Sequence, residues 1–218
     1  MARKLFLTAC LLLIGIFIST EAIHAQETAS IKLLATQMQG GKPLMQALRD
    51  RKTQRAFSPK DLPLQVLSDM LWAANGINRP ESGHRTAPSA MNMQEIDIYI
   101  ARADGLYLYD AKENVLRQVL KEDLRALTGK QVFVKDAPVN LIFVADLFKM
   151  GKTTGSATDF YAATDTGFIS ENVYLFCASE GLATVVRGLV DKPALAKAMR
   201  LRPDQKIILT QTVGYPRD

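Results

Sequence analysis

The stretch Arg51-Lys52-Thr53-Gln54-Arg55-Ala56-Phe57 decides how the rest of the sequence is interpreted. It places three cations and a hydroxyl within five residues, directly after a short helical pattern. Guanidinium groups carry fixed forks of donors that suit phosphate oxygens, so the cluster is dense enough to hold one dianion. The other interpretation is a solvated helix end whose cations complement the helix dipole. Taken alone, the segment favours this second interpretation.

Amphipathic patterns flank the cluster on both sides. Leu44, Ala47 and Leu48 share one face, which predicts a short helix from Leu44 to Arg51. A second apolar stripe predicts a helix over Leu64 to Asn75, because Pro63 precedes it and Gly76 follows it. The cationic segment is therefore expected to link two helices.

The rest of the chain predicts a mixture of strands and helices. The segment from Asn78 to Asn92 is rich in proline, serine and glycine, and we expect a long polar loop without helix or regular strand. The later patterns predict a hairpin of 96–101 with 106–109, strands at 115–120, 139–145, 182–186 and 207–213, and helices at 122–127, 158–180 and 193–199.

The predicted helix from Thr158 to Glu180 differs from the others in its apolar pattern. Phe160, Phe168 and Phe176 do not fall on a single narrow stripe. A helix with a wide apolar arc is either central in its own fold or shared with a partner chain.

Composition places the chain among ordinary globular proteins. Its 218 residues are 48% hydrophobic and 22% charged, which excludes intrinsic disorder, collagen and a disulfide scaffold. The net charge of +5 is spread without a dense basic block, so we expect no nucleic-acid partner.

The first residues have the pattern of a secretory signal peptide. Arg3 and Lys4 precede an apolar run from Leu5 to Ile18, and we expect cleavage after Ala25. The run is shorter than the roughly 20 residues that cross a bilayer, so no transmembrane segment is expected after cleavage. A lipoprotein signal acylated at Cys10 is disfavoured, because almost no apolar segment precedes this cysteine. We therefore expect an exported protein, periplasmic or secreted.

Cleavage would leave few residues that carry chemistry of their own. Cys177 and His84 would be the only cysteine and histidine, so an intrachain disulfide and a zinc site of cysteines and histidines are excluded. A Ser-His-acid triad would rest on His84 alone. Any redox or transfer chemistry is therefore expected to belong to a bound cofactor.

Five segments in order resemble the FMN-dependent nitroreductase family. They are Arg51-Lys52-Thr53-Gln54-Arg55-Ala56-Phe57, Leu71-Trp72-Ala73-Ala74-Asn75-Gly76, Thr86-Ala87-Pro88-Ser89-Ala90-Met91-Asn92, Gly181-Leu182-Ala183-Thr184 and Val213-Gly214-Tyr215-Pro216. Within the family the chain is similar to the short branch that includes the azoline (thiazole/oxazole) dehydrogenases of peptide-toxin biosynthesis. The resemblance implies an N-terminal arm over 26–42 and a nitroreductase-like FMN-binding domain over 43–218.

The resemblance also implies a fold and an assembly. The fold is α+β, with a mainly antiparallel sheet flanked by helices, and two identical chains form an interlocked homodimer. One FMN lies at each interface. The long helix at 158–180 would belong to the dimer core, which would explain its wide apolar arc.

Candidate cofactor contacts follow from the family by position. Arg51, Lys52 and Thr53 would hold the FMN phosphate and ribityl chain, and Arg55 would lie near the pyrimidine edge of the flavin. A cation at that edge stabilises negative charge on the reduced ring.

Further contacts are implied from two other segments. Pro88 and Ser89 would pack along the ring from the second chain, and Asn92 would bond its polar edge. Backbone groups of the segment from Leu182 to Gly188 would face flavin N5 and O4, with Leu182, Ala183 and Thr184 as the candidate contacts.

The chain departs from the family pattern near its C-terminus. Many members carry a Lys-x-Arg pair beyond the Gly-Tyr-Pro segment that reaches the phosphate, whereas this chain continues only to Arg217-Asp218. Arg217 is the candidate replacement.

The resemblance implies an oxidoreductase with no catalytic side chain of its own. Hydride would pass through flavin N5 to or from a nitroaromatic, a quinone or an activated alkene in a ping-pong cycle, with NAD(P)H or another electron donor. The alternatives are a flavin-binding redox partner or carrier without turnover, and a flavin-free binding or structural protein. We expect His84 to be exposed to solvent, Cys177 to be buried, and Trp72 to pack in the core.

Overall fold

A computed structural model describes residues 29–151, 153 and 155–217, so the expected signal peptide at 1–25 lies outside the described residues. In chain order the elements are β1 (Ser30–Lys32), α1 (Leu44–Asp50), α2 (Leu64–Asn75), β2 (Ile77–Arg79), β3 (His84–Arg85), β4 (Ile96–Arg102), β5 (Gly105–Asp110), β6 (Val115–Leu120), β7 (Val139–Asp146), α3 (Ser156–Glu180), β8 (Ala183–Arg187), α4 (Lys192–Ala198) and β9 (Gln205–Gly214). Short 3-10 turns are formed by Ala90–Asn92, Arg125–Thr128, Val132–Lys135 and Leu147–Met150.

A seven-stranded sheet in the order β1-β6-β5-β4-β7-β9-β8 forms the centre of the protein. Every described pairing in it is antiparallel, which confirms the α+β class with a mainly antiparallel sheet. All residues of β7 are buried, as expected of a strand that is covered on both faces. Helices α2 and α3 cover one face of the sheet and α4 covers the other.

Helix α3 carries both a buried and an exposed apolar face. Its buried residues recur at helical spacing and pack on the sheet. Phe160 and Phe168, however, are exposed. Gly181 ends the helix at a φ of 70°, a left-handed conformation that suits glycine, and the Leu182 amide then bonds the Cys177 carbonyl at 2.8 Å.

Helix α1 has the predicted position but not the predicted packing. Only Ala47 is buried in it, while Leu44 and Leu48 of the expected face are exposed. Helices α1 and α3 therefore both present exposed apolar side chains.

Two expectations about secondary structure need correction. Residues 122–127 do not form an α-helix, because only a 3-10 turn over Arg125–Thr128 forms there. The Arg125 guanidinium bonds both the Asp123 carboxylate and the Ala137 carbonyl, which holds the chain in a tight turn. The segment from Asn78 to Asn92 is not purely loop, since β2 and β3 form a small hairpin inside it.

The described part of the N-terminal arm is more ordered than its polar sequence indicates. It adds β1 to the edge of the sheet beside β6, and Leu33 is buried in the core. Within the described residues, we find no helix whose length and hydropathy would let it span a bilayer.

Candidate functional site

A cavity of about 550 Å³ opens at the C-terminal end of α3. It is lined by Lys42, Arg49, Asp50, Arg51, Lys52, Gln54, Tyr174, Cys177, Ala178, Gly181, Leu182, Thr184 and Pro216. Most of the lining comes from the cationic segment, from the last turns of α3 and from the strand that follows. A volume of this size is typical of small-molecule and cofactor sites.

The cations around this cavity fall into two groups. Lys42 and Arg49 both bond the Asp50 carboxylate, at 2.9 and 3.0 Å. These two hydrogen bonds hold the pKa of Asp50 below its ordinary value, and the bond from Lys42 has the larger effect. By contrast, no described carboxylate pairs with Arg51 or Lys52, so their donors are free for an anion. Arg55 also lacks a described carboxylate partner, but it is not among the residues that line the cavity.

Tyr174 organises the floor of the cavity, and sequence reasoning did not identify it. Its ring lies 5.3 Å from the Arg51 guanidinium carbon, within range of a cation–π contact. Its hydroxyl accepts the Val186 amide at 3.0 Å and lies 3.0 Å from the Thr53 hydroxyl. In the sequence, the one signal for this role is a tyrosine on the buried face of a predicted helix, because a buried phenol hydroxyl requires a polar partner.

Strand β8 brings the predicted segment Leu182, Ala183 and Thr184 to the same place. Because β8 is the edge strand beside β9, one side of its backbone is open to other groups. The Gln54 amide takes one such position and bonds the Thr184 carbonyl at 3.0 Å. Leu182 and Thr184 line the cavity, whereas Ala183 packs in the small apolar cluster on the other side.

The C-terminal residues run beside the cationic segment. Phe57 and Pro216 form an antiparallel bridge, and the Arg217 amide bonds the Ala56 carbonyl at 3.2 Å. The backbone of Arg217 therefore lies beside Ala56, at the end of the cationic segment.

Pro88, Ser89 and Asn92 form a separate turn. The Ser89 hydroxyl accepts the Gln94 amide at 3.1 Å, and the Asn92 side-chain oxygen accepts the Gln94 side-chain amide at 3.0 Å. The Ala90 amide bonds the carboxylate of Asp165 on α3 at 2.9 Å.

One chain does not bring this turn to the cavity. The turn contacts α3 at Asp165, while the cavity contacts α3 at Tyr174. These positions are nine residues apart on the helix, a separation of about 13 Å along its axis. The predicted contacts thus form two groups that a single chain keeps apart.

Two carboxyl groups, those of Glu95 and Asp165, line a small cavity together with Pro88 and Ser89 of the turn. Glu95 and Asp165 are both buried, and neither oxygen of Glu95 has a hydrogen-bond donor among the described residues. Burial, and after it the negative charge of the neighbouring Asp165, raises the pKa of Glu95 to about 7. Within the described residues, no group of three or more His, Cys, Asp and Glu side chains is arranged to hold a metal ion.

Three other residues had been considered for chemical roles. Cys177 is buried as expected, and burial raises the pKa of its thiol. His84 is half-buried rather than fully exposed, and its Nδ1 lies 2.6 Å from the Ser82 hydroxyl. Trp72 does not enter the core but lies half-buried over Gly76, where its indole donates to the Ile77 carbonyl at 3.2 Å.

Comparison with known proteins identifies the same architecture in relatives. A chain described as a nitroreductase from Ralstonia eutropha JMP134 is 42% identical, with a TM-score of 0.83, over 87% of this chain and 90% of that one. A protein named as a nitroreductase from Methanocaldococcus jannaschii is 31% identical over 155 residues, which are 66% of this chain and 78% of that protein. At 20% identity and a TM-score of 0.60, a chain described as a nitroreductase in complex with FMN, from Desulfovibrio desulfuricans, shares the fold over 81% of this chain and 88% of its own.

The match to the family covers most of the described domain. Residues 48–215 match the Nitroreductase family. This range includes the cationic segment, the turn at Pro88–Asn92 and strand β8. The chain belongs to the nitroreductase family of oxidoreductases.

Proposed function

We propose that this protein is an FMN-dependent oxidoreductase that exchanges hydride with a small organic substrate such as a nitroaromatic, a quinone or an activated alkene. The observation that carries the proposal is a cavity of about 550 Å³ lined by Arg51 and Lys52, two cations with which no described carboxylate pairs. A phosphate dianion would satisfy their donors, and the cavity is large enough for part of a flavin nucleotide.

The residues of this site fit the chemistry of a phosphate and a ribityl chain. The Tyr174 ring holds the Arg51 guanidinium in one place, so little conformational freedom remains to be lost on binding. Thr53 and Lys52 would add a hydroxyl and a second cation. Arg217, whose backbone adjoins the same segment, is the candidate for the phosphate contact that the family makes further along the chain.

The remaining residues would orient the cofactor. Bound FMN would supply N5, the atom that accepts and donates hydride. Arg55 would place positive charge at the pyrimidine edge and favour the reduced, negatively charged ring. The backbone of Leu182, Ala183 and Thr184 would present fixed amide and carbonyl groups to the ring.

A complete site would require two chains. The turn with Pro88, Ser89 and Asn92 lies about 13 Å along α3 from the cavity of its own chain. A homodimer would let this turn reach the cavity of the partner chain. The exposed apolar side chains on α1 and α3, Phe168 among them, supply surface for such an interface.

The proposed export bears on the electron donor. NAD(P)H is the donor to test first, but nicotinamide nucleotides are scarce outside the cytoplasm, so a second donor class belongs in the same assay. The export itself is tested by expressing the full chain in a bacterial host and sequencing the N-terminus of the protein from the periplasm and the medium. A start at Gln26 would support it, and an uncleaved cytoplasmic chain would contradict it.

The flavin proposal is tested by absorbance. Residues 26–218 are purified, loaded with FMN and scanned between about 300 and 550 nm, with Arg51→Ala and the matched control Arg200→Ala alongside. Arg200 is an exposed cation whose described ion pair, at 3.9 Å, is with Glu122. We expect flavin in the wild type and the control, and a loss of about 10- to 100-fold in affinity in Arg51→Ala, because a charged hydrogen bond is removed.

Two other outcomes would change the conclusion. A colourless dimer that fails to bind added FMN would contradict the oxidoreductase proposal. A protein that binds FMN but turns over no donor with any quinone or nitroaromatic acceptor would support the carrier alternative instead.

A further inference from the structure

The turn that carries Pro88, Ser89 and Asn92 has a strained backbone. Met91, Asn92 and Gln94 have φ angles of 52°, 54° and 50°, a left-handed conformation that costs a non-glycine residue on the order of 1 kcal/mol or more. Such a shape persists only where surrounding contacts fix it. The contact from α3 is the bond between the Ala90 amide and the Asp165 carboxylate, at 2.9 Å.

Asp165 is a stable anchor when Glu95, which lines the same small cavity, is protonated. Asp165 and Glu95 are both almost fully buried and line the same small cavity, and neither oxygen of Glu95 has a hydrogen-bond donor among the described residues. Two carboxylates in contact without water repel strongly, so such pairs retain one proton. A protonated Glu95 donates to Asp165, which leaves an Asp165 oxygen for the Ala90 amide.

The other charges around Glu95 do not replace that proton. Lys149, from the turn after β7, attracts a negative Glu95, but its amine is already bonded to Asp97 at 2.6 Å. The Arg85 guanidinium, from β3, lines the same small cavity but bonds the Gln94 side chain and the Asn75 carbonyl. The cavity itself measures only about 10 Å³, so it excludes an organic ligand.

We propose that Glu95 and Asp165 are positioning residues that share one proton, and that this proton fixes the Pro88–Asn92 turn in the shape that a flavin of the partner chain requires. The inference rests on the proposed function for its flavin, but the shared proton is a property of this chain alone. Loss of the proton makes the two carboxylates repel each other, and the hydrogen bond from the Ala90 amide to Asp165 is lost. Flavin binding is therefore coupled to a proton buried away from the flavin.

The test measures the FMN dissociation constant of the apoprotein by flavin fluorescence between pH 6 and pH 8. The variants are Glu95→Gln, Asp165→Ala, Asp165→Asn and the exposed control Glu113→Gln. The phosphate of FMN also titrates in this range, but it does so equally in every variant, so the comparison between variants isolates the buried pair. A glutamine at position 95 donates to Asp165 at every pH.

We expect the wild type and the control to lose about tenfold more affinity than Glu95→Gln between pH 6 and pH 8. At pH 6 the Glu95→Gln variant binds as the wild type does. Asp165→Ala binds more weakly at every pH, and Asp165→Asn recovers most of that loss, because its amide still accepts from Ala90. Parallel pH curves for the wild type and Glu95→Gln would overturn the proposal.

A second measurement needs no flavin. The carboxyl carbon of Glu95 is titrated by NMR in the apoprotein, and hydrogen exchange of the Ala90 amide is compared with that in Glu95→Gln at each pH. A Glu95 that is protonated at pH 6, with Ala90 protection falling as it ionises, supports the shared proton even if no FMN binds. A Glu95 already ionised at pH 5.5 would overturn it.

Discussion

Arg187 and Arg51 both lack a carboxylate partner among the described residues, but their donors meet different groups. Arg187 is buried, and its guanidinium bonds the Thr128 carbonyl, the Asn140 side-chain oxygen and the Thr212 hydroxyl at 2.8 to 3.0 Å. Burial lowers its pKa to about 10, so it remains charged at neutral pH. Arg51 is half-buried at the cavity, where its described contact is with the Tyr174 ring.

The difference separates a structural cation from a binding cation. The terminal nitrogens of Arg187 donate to neutral acceptors of the fold, and a buried charge without such partners would be costly. The guanidinium donors of Arg51 remain for a ligand. An unpaired arginine therefore indicates a binding site only where its donors face a cavity.

The largest expected effect comes from removing the buried cation. Arg187→Met should lower the free energy of unfolding by about 3–5 kcal/mol, because it removes the buried guanidinium that bonds the Thr128 carbonyl, the Asn140 side-chain oxygen and the Thr212 hydroxyl. Denaturant unfolding at a fixed protein concentration measures the loss, with the exposed Arg200→Met as the control. The folded fraction should still bind FMN with wild-type affinity. A stability loss below about 1 kcal/mol would remove the distinction between the two arginines.

The next largest effect is expected at Glu95, a buried acid that stays neutral, whereas the buried Arg187 stays charged. The pKa of Glu95 is raised from 4.5 to about 7 by burial and by Asp165. Between these values the unfolded chain has released the proton while the folded protein retains it, so the contribution of Glu95 to stability falls as pH rises through this window. The change is about 3 kcal/mol, at roughly 1.4 kcal/mol for each pKa unit.

This pH effect is measured as a difference between two proteins. The unfolding free energy of flavin-free wild type relative to Glu95→Gln should fall between pH 4.5 and pH 7 and then level off. A constant difference across that range would show that Glu95 ionises normally in the folded protein.

A smaller effect is expected at Tyr174, which links the cationic segment to β8. Tyr174→Phe keeps the ring under Arg51 but removes the acceptor of the Val186 amide and the partner of the Thr53 hydroxyl. We expect a loss of about 1–2 kcal/mol in stability and a weaker FMN affinity. Thr53→Val is the matched variant, since it removes the other end of the same contact. Affinity unchanged in both variants would exclude this pair from the binding site.

The parts of this protein that sequence could predict are those set by local pattern. Helix α2 has the predicted bounds, and the buried strand β7 and the cationic segment are read from neighbouring residues. The prediction of a helix at 122–127 is wrong, because the hydrogen bond from the Arg125 guanidinium to the Ala137 carbonyl joins residues far apart in the sequence.

The missed features share that cause. Tyr174, Asp165 and Arg187 act through partners that lie 12 or more positions away in the sequence. No local pattern encodes such partners, and the separation of the two groups of candidate contacts along α3 also follows only from the folded chain. The assignment of the turn to a partner chain came from the family resemblance, not from periodicity.

The smallest effect is expected at Arg49, which lines the same cavity as Arg51 and carries the same charge. Its side chain is 73% exposed and its donor is bonded to Asp50, so it resembles an ordinary surface ion pair. Arg49→Ala should change stability by less than about 0.5 kcal/mol and FMN affinity by less than about threefold. Arg51→Ala should lose far more, and its loss should shrink as salt is raised, because screening weakens the attraction to phosphate. Equal losses in the two variants would mean that charge near the cavity, rather than free donors, determines binding.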